Sequence, residues 1–322
     1  MTDHSVSTFL ATTPFAGWTR TPLAGDASSR RYTRLQDGNQ TAILMEAGPE
    51  ARAETDTFVH IAAWLTSQAL CAPRILAADT HQGLAILEDL GARDLATAAT
   101  AEPLATADLY TAATDILIRL DPLTPPPGLA TMTPTVAGDM LDVTCVWYAG
   151  TDPDPALAAA MAEGIAAHCS PPTHVALRDY HAENLIWRPD RAGTDKIGLL
   201  DFQDAFLAPR GYDLVSLTRD ARRDVDPEVA ASATVHFANG VGQRPADLSA
   251  ALACLAVQRN LRILGVFARL AKRDGKQRYL TMLPRLWRMI TEDLTHPALS
   301  DLRDAVLSRL PPPERSAIKD VT

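Results

Sequence analysis

Short apolar runs with two-residue alternation dominate the first ninety positions of the chain, and longer runs with helical spacing dominate the rest. The segments "GWTRTPLAG", "RRYTRLQ" and "TAILMEA" each predict a strand, rich in Thr, Tyr, Ile and Leu and bounded by turn residues. Gly25-Asp26-Ala27-Ser28-Ser29 separates the first two, and Asp37-Gly38-Asn39 makes a hairpin turn between the second and third. Pro49 then opens a helical pattern in which Phe58, Ile61, Ala62 and Leu65 recur at i, i+3, i+4 and i+7. "RILAAD" and "LAILEDL" predict two further strands around His81-Gln82-Gly83, giving the order β-β-β-α-β-β up to Gly91.

Beyond residue 94 the pattern is helical. Asp108–Leu120 is amphipathic, a Pro-rich linker follows at Thr124–Gly128, and helices are expected over 133–149 and 155–168. Two short strands interrupt this region, around Leu185–Trp187 and Ile197–Leu200, joined by the polar loop "RPDRAGTDK". After Asp213, read as an N-cap, helices are expected to about residue 310, with Leu252–Leu270 the strongest stretch and Phe267, Tyr279 and Trp287 in the core. The segment "PPPERSAIKDVT" reads as a loose tail. The expectation is therefore an α+β protein of two lobes: residues 1–91 mostly antiparallel β with one helix, residues 92–322 helical.

Composition narrows the function classes. With 322 residues, 47% of them hydrophobic and 21% charged, the chain has ordinary globular character and enough length for two packed lobes. A net charge of −9 argues against a nucleic-acid partner, because phosphate-backbone affinity is mostly cationic. Cys71, Cys145, Cys169 and Cys254 are widely spaced and read as free thiols. The first 30 residues lack a basic segment followed by an apolar run, and no 18-residue apolar stretch occurs. A cytoplasmic monomer without a membrane partner is the expectation.

Chemistry concentrates in "LRDYHAENLIW" (177–187) and "LLDFQDAF" (199–206), where carboxylates and an amide break apolar runs. Asp179 and Asn184 lie on a polar loop leading into one strand, and Asp201 ends the next. If those strands pair as a hairpin, the three residues meet. Mg²⁺ takes oxygen ligands, commonly one or two from protein with the rest from phosphate and water, and Asn184 and Asp201 suit it. Asp179 is then left to accept the proton of a hydroxyl nucleophile, the division of labour of kinase-type phosphoryl transfer.

These segments carry a resemblance. "RDYHAEN" resembles the R-D-x-x-x-x-N catalytic loop of the protein-kinase-like fold, and "LLDFQDA" resembles its metal-binding D-F-G segment with Gln203 in place of Gly. The whole chain is similar in element order to the aminoglycoside phosphotransferase family. "PRGYDLVSL" resembles that family's Y-D-L-A segment, and "LEDLG" stands where its hinge holds adenine, which implicates Glu88, Asp89 and Leu90. Within the family, "GDASSRRYTRL", "ILMEA" and the two chemical segments are most similar to bacterial cell-wall sugar kinases. The resemblance implies ATP and Mg²⁺, and phosphorylation of the anomeric hydroxyl of N-acetylmuramate or N-acetylglucosamine. His181 is a candidate to shape the acceptor site, and an N-acetylmuramate carboxylate would want an arginine, for which Arg210 and Arg178 are the candidates, although Arg178 also reads as a residue that holds the loop.

One departure is chemical. The family's third-strand lysine, which holds the nucleotide phosphates, is replaced by Met45, and the first 195 residues contain no lysine. Arg30 and Arg31, beside Ser28 of the Gly-containing turn, are the nearest cations, and Glu54 could position one of them. Strand alternation sends the two arginines to opposite faces. Kinases of aminoglycosides, choline or homoserine, and a nucleotide-binding pseudokinase, stay open as alternatives.

Overall fold

The computed structural model describes residues 3–23, 30–48, 51–316 and 318. Pro49 and the Gly25–Ser29 turn, Ser28 included, lie outside the described residues. The chain divides into two compact units, one formed by Met1–Ala105 with Glu183–Asp204, the other by Thr106–Ala182 with Ala205–Thr322. The segment carrying Asn184 and Asp201 thus packs with the first unit, although it follows the start of the second in sequence.

The first unit is built on a five-stranded antiparallel sheet in the order β1-β2-β3-β5-β4, from β1 (Thr19–Pro22), β2 (Arg30–Asp37), β3 (Gln40–Ala47), β4 (Ile75–Asp79) and β5 (Leu84–Glu88). The β2–β3 register runs from Arg30↔Ala47 to Asp37↔Gln40, so Gly38-Asn39 forms the expected tight turn. Alternation decides which face each residue takes. Leu35, Ala42, Leu44, Leu84 and Ile86 form one apolar face, and helix α1 (Asp3–Ala11) covers it with Val6, Phe9 and Leu10. This helix was not signalled by the N-terminal pattern, and it adds to the one expected. That one, α2 (Ala53–Ser67), buries Phe58, Ile61, Ala62 and Leu65, the i, i+3, i+4, i+7 set. Helix α3 (Leu95–Ala101) and the antiparallel hairpin of β7 (Leu185–Trp187) with β8 (Ile197–Leu199) complete the unit.

The second unit is helical: α4 (Thr106–Leu120), α5 (Pro134–Asp139), α6 (Pro155–His168), α7 (Tyr212–Thr218), α8 (Pro227–Gly240), α9 (Pro245–Asp274), α10 (Leu283–Asp293) and α11 (Ser300–Arg309). It also contains a short antiparallel pair, β6 (His174–Ala176) with β9 (Phe206–Ala208), too brief for alternation to reveal. The helix expected over 133–149 is instead α5 followed by a π-helical turn at Thr144–Ala149. Thr144 Oγ1 donates to the Leu261 carbonyl of α9 at 2.7 Å, which draws this turn onto α9.

Helix α9 is long and apolar enough to cross a membrane by length and composition, but 72% of its apolar window is buried inside the protein, as in a core helix. Phe267 and Tyr279 are core residues, and Trp287 packs at the edge of the same core, stacked on Tyr148. The described part of the expected loose tail is docked: the Pro311 carbonyl accepts from Tyr148 Oη at 2.7 Å, and Pro313, Ser316 and Ile318 are buried, while Ala317 and residues 319–322 lie outside the described residues. A buried phenol needs an acceptor, and the tail supplies it. The four cysteines are free, Cys169 half-buried and the others buried.

Candidate active site

In the second unit, β6 leads into the loop Leu177–Ala182, and its backbone is held from α7. The Asp213 carboxylate accepts the amide N–H of Leu177 at 2.6 Å and of Arg178 at 3.0 Å. Asp213 is therefore not the N-cap of α7. Gly211 occupies that position, with φ +92°, and Asp213 sits inside the first turn with its side chain turned to the loop. Burial pushes the Asp213 carboxyl up to about 7, against the opposing pull of the two amides and of Arg259. Arg178 takes a positive φ of 75° and lies over the Phe206 ring at 5.9 Å. A γ-turn-type link from His181 N–H to the Asp179 carbonyl, 3.0 Å, fixes the next step of the loop. A non-glycine residue in the left-handed region carries strain, and strain of this kind gathers where a side chain must be aimed.

His181 is 3% exposed. Burial, then the charges of Arg222 and Arg259, holds its imidazole well below the usual range, so it is neutral at physiological pH and acts as a hydrogen-bonding group only. Arg210, the expected acceptor arginine, is committed elsewhere: its guanidinium makes a bidentate pair with Asp121 at 2.7 and 3.1 Å, and its backbone N–H donates to Ser170 Oγ. Two arginines of α9, Arg259 and Arg262, come into electrostatic reach of Tyr212 and, for Arg262, of Asp179. Nothing in the Ala- and Leu-rich pattern of α9 sets these two apart from its surface charges.

In the first unit, the β7–β8 pairing continues one step past the strands, because Leu200 N–H donates to the Asn184 carbonyl at 3.0 Å. This brings Asn184 beside Asp201: the Asn184 amide nitrogen lies 3.4 Å from one Asp201 carboxylate oxygen, and the Gln203 amide donates to the other at 2.9 Å. Asp201 has a positive φ of 56° and is exposed. Its neighbour Phe202 is fully buried and stacks on Phe58 of α2, ring centroids 5.0 Å apart, which anchors the turn. Among the described residues no group of three His, Cys, Asp or Glu side chains could hold a metal. A carboxylate beside an amide suits Mg²⁺ nevertheless, since that ion takes much of its shell from phosphate and water. Only the amide oxygen can ligate, so the Asn184 amide would turn its oxygen toward Asp201.

Met45 is fully buried between Tyr32 and Ala85 on the neighbouring strands. Arg30 is buried and forms an ion pair of 2.8 Å with Glu54, whereas Arg31 is exposed. Arg30 and Asp201 both act on the Tyr32 phenol, whose pKa burial raises, Arg30 lowers and Asp201 raises. The side chains of Glu88 and Asp89 are tied down: Glu88 pairs with Arg74, and Asp89 with Arg34, each at 2.8 Å. Leu90 packs with Cys71 and Ile186. A nucleotide base at this segment would meet its backbone and not these carboxylates.

A two-unit α+β chain with this loop and hairpin has the make-up of a small-molecule phosphotransferase. The chain belongs to the phosphotransferase enzyme family, whose model matches residues 19–248. It is 37% identical to the N-acetylmuramate/N-acetylglucosamine kinase of Caulobacter vibrioides, over 94% of each chain. It is 30% identical to the kinase of the same name from Pseudomonas aeruginosa, over 89% of this chain and 87% of that one. Among solved structures, choline kinase LicA from Streptococcus pneumoniae superposes with a TM-score of 0.66 at 11% identity, covering 91% of this chain and 99% of that one. The GDP complex of aminoglycoside 2'-phosphotransferase-IIIa gives 0.64 at 12%, covering 90% and 98%. These two share the fold, which is the expected kinase-like one.

Proposed function

We propose that the protein is an ATP-dependent kinase of a cell-wall amino sugar, converting N-acetylmuramate and/or N-acetylglucosamine to the 1-phosphate in peptidoglycan recycling, as a cytoplasmic monomer. The observation that carries this reading is similarity along nearly the full length to kinases of that name, 37% over 94% of both chains. The retention of Asp179, Asn184 and Asp201 supports an active enzyme over a pseudokinase.

Asp179 accepts the proton of the anomeric hydroxyl as that oxygen attacks the γ-phosphorus. The bond from phosphorus to the bridging oxygen breaks, and ADP departs. Asn184 Oδ1 and the Asp201 carboxylate would hold Mg²⁺, which supplies neutralisation of the phosphate charge when bound. Arg30, oriented by Glu54, takes the place of the absent lysine toward the phosphates, and the backbone of Glu88–Leu90 receives adenine. His181 shapes the acceptor site as a neutral group.

Polycationic aminoglycosides fit poorly, because arginines cluster around Asp179 in the second unit. The test is turnover with ATP and N-acetylmuramate, N-acetylglucosamine, kanamycin or choline, reading ADP release and locating the new phosphate by ³¹P NMR. A 1-phosphate on either sugar is the expected product. Faster turnover of kanamycin or choline, or none with any acceptor, would overturn the assignment.

A further inference from the structure

Helix α9 approaches α7 closely at one point. A Cβ on Gly211 would lie 2.6 Å from Leu252 Cδ2, so the absence of a side chain there lets α9 pack against the start of α7. Arg259 stands two turns beyond Leu252 on the same face of the helix, and Arg262, three residues further, is its neighbour on the adjoining stripe. That face is directed at the end of α7 whose Asp213 holds the Asp179 loop.

Arg262 is poorly matched by anions, and Arg259 keeps an unsatisfied nitrogen although Asp213 and Asp220 lie within its reach. Arg259 is 2% exposed and its Nη1 has no hydrogen-bond partner. Arg262 is half-buried, and among the described residues it makes no hydrogen bond or ion pair. Burial, then the neighbouring charges of Arg178 and Arg259, disfavours its protonated form, while Tyr212 and Asp179 favour it. Asp213, which also lies within reach of Arg259, is engaged with the loop amides. Among the groups that act on Arg262, Asp179 is the carboxylate, while Arg178 and Arg259 add like charge. Guanidinium stays charged in proteins, and a desolvated cation without a partner is costly unless an anion arrives.

We propose that Arg262, backed by Arg259, binds the carboxylate of an acidic amino-sugar acceptor and so sets the preference for N-acetylmuramate over N-acetylglucosamine. This rests on the reading of the acceptor as an N-acetyl amino sugar. N-acetylmuramate differs from N-acetylglucosamine by a lactyl ether that carries a carboxylate, the group a planar guanidinium fork recognises.

The experiment is a chemical double-mutant cycle. The kcat/KM of wild type, Arg262→Gln and Arg262→Lys is measured with N-acetylmuramate, its methyl ester and N-acetylglucosamine, at saturating ATP. In the wild type, esterification should lower kcat/KM about ten- to a hundred-fold, the range of a charge-assisted hydrogen bond. Arg262→Gln should lose most of that difference, and Arg262→Lys should keep part of it. Wild-type indifference to esterification overturns the proposal without any question of variant folding. So does an acid-to-ester ratio left intact in Arg262→Gln, or an effect confined to the KM for ATP, which would assign Arg262 to nucleotide phosphates. Wild type inactive on both sugars would instead defeat the function reading itself, and this proposal with it.

Discussion

The Asp213 carboxylate holds the amide of Leu177 at 2.6 Å and that of Arg178 at 3.0 Å, so the loop bearing Asp179 is positioned by a residue 34 places later in sequence. An ionised carboxylate accepts both N–H groups well. A protonated one has an oxygen that also donates, which weakens one of the two bonds.

With the Asp213 carboxyl raised from 3.8 to about 7 by burial, its ionisation falls in the working pH range. We expect kcat to decline below about pH 7 as the loop loosens. Asp213→Asn should lower kcat on the order of 10²-fold above about pH 7, the cost of misaiming a reacting group, and should lack that limb, so the deficit narrows at lower pH. The sign for stability is opposite. A carboxyl with a raised folded pKa binds its proton more tightly when folded, so its contribution is full below about pH 3.8 and lost as pH rises through about 7. The stability advantage of wild type over the variant should shrink across that window. A pH series of kcat and of Tm for both proteins checks the two signs.

Asp179 and Asp201 should separate by readout. Asp179→Asn should leave MgATP affinity largely intact and reduce kcat by about 10²–10⁴-fold, the worth of a positioned general base. Asp201→Ala should abolish calorimetric MgATP binding together with turnover. Retention of half the activity in the first variant, or of full MgATP affinity in the second, contradicts the role assigned.

Much of this architecture was legible because it rests on local pattern. The β2–β3 turn follows from Asp37-Gly38-Asn39, α2 from the spacing of Phe58 to Leu65, and the nearness of Asn184 to Asp201 from two apolar triplets that pair. What was hidden depends on long-range contact. Helix α1 becomes a helix by covering Leu35, Leu44 and Ile86, and the tail docks because Tyr148 needs an acceptor. Asp213 has the spacing of a cap, but its partner is a loop distant in sequence. Arg210 is taken up by Asp121, 89 positions earlier in the chain, and Arg259 and Arg262 gain meaning from what faces them.

Gly265 marks where α9 meets the π-helical turn. A Cβ there would lie 2.5 Å from the Thr144 backbone nitrogen, a contact no side-chain rotation relieves. Gly265→Ala should therefore destabilise the protein by about 1–3 kcal/mol despite the better helix propensity of Ala. Its thermal midpoint should fall while the KM for ATP stays near that of wild type. An unchanged midpoint would mean that this helix contact yields easily.

ATP brings several negative charges that need fixed cations, and Met45 is a buried thioether that offers none. Alternation along β2 buries Arg30 and exposes Arg31, and Glu54 grips Arg30 at 2.8 Å, as an acidic helix residue would orient a phosphate-binding cation. Arg30→Ala should raise the KM for ATP and lower kcat, together costing about ten- to a hundred-fold in kcat/KM, the scale of a charge-assisted contact. Glu54→Gln should produce a smaller loss in the same direction, because the guanidinium stays but loses its orientation. Arg31→Ala should be near neutral. Since Arg30 is also a buried ion-pair partner, Arg30→Lys separates the roles: it should recover part of the ATP affinity if charge at the phosphates is what matters. Equal kinetics for Arg30→Ala and Arg31→Ala would show that neither arginine replaces the lysine, and would leave backbone N–H groups as the phosphate ligands.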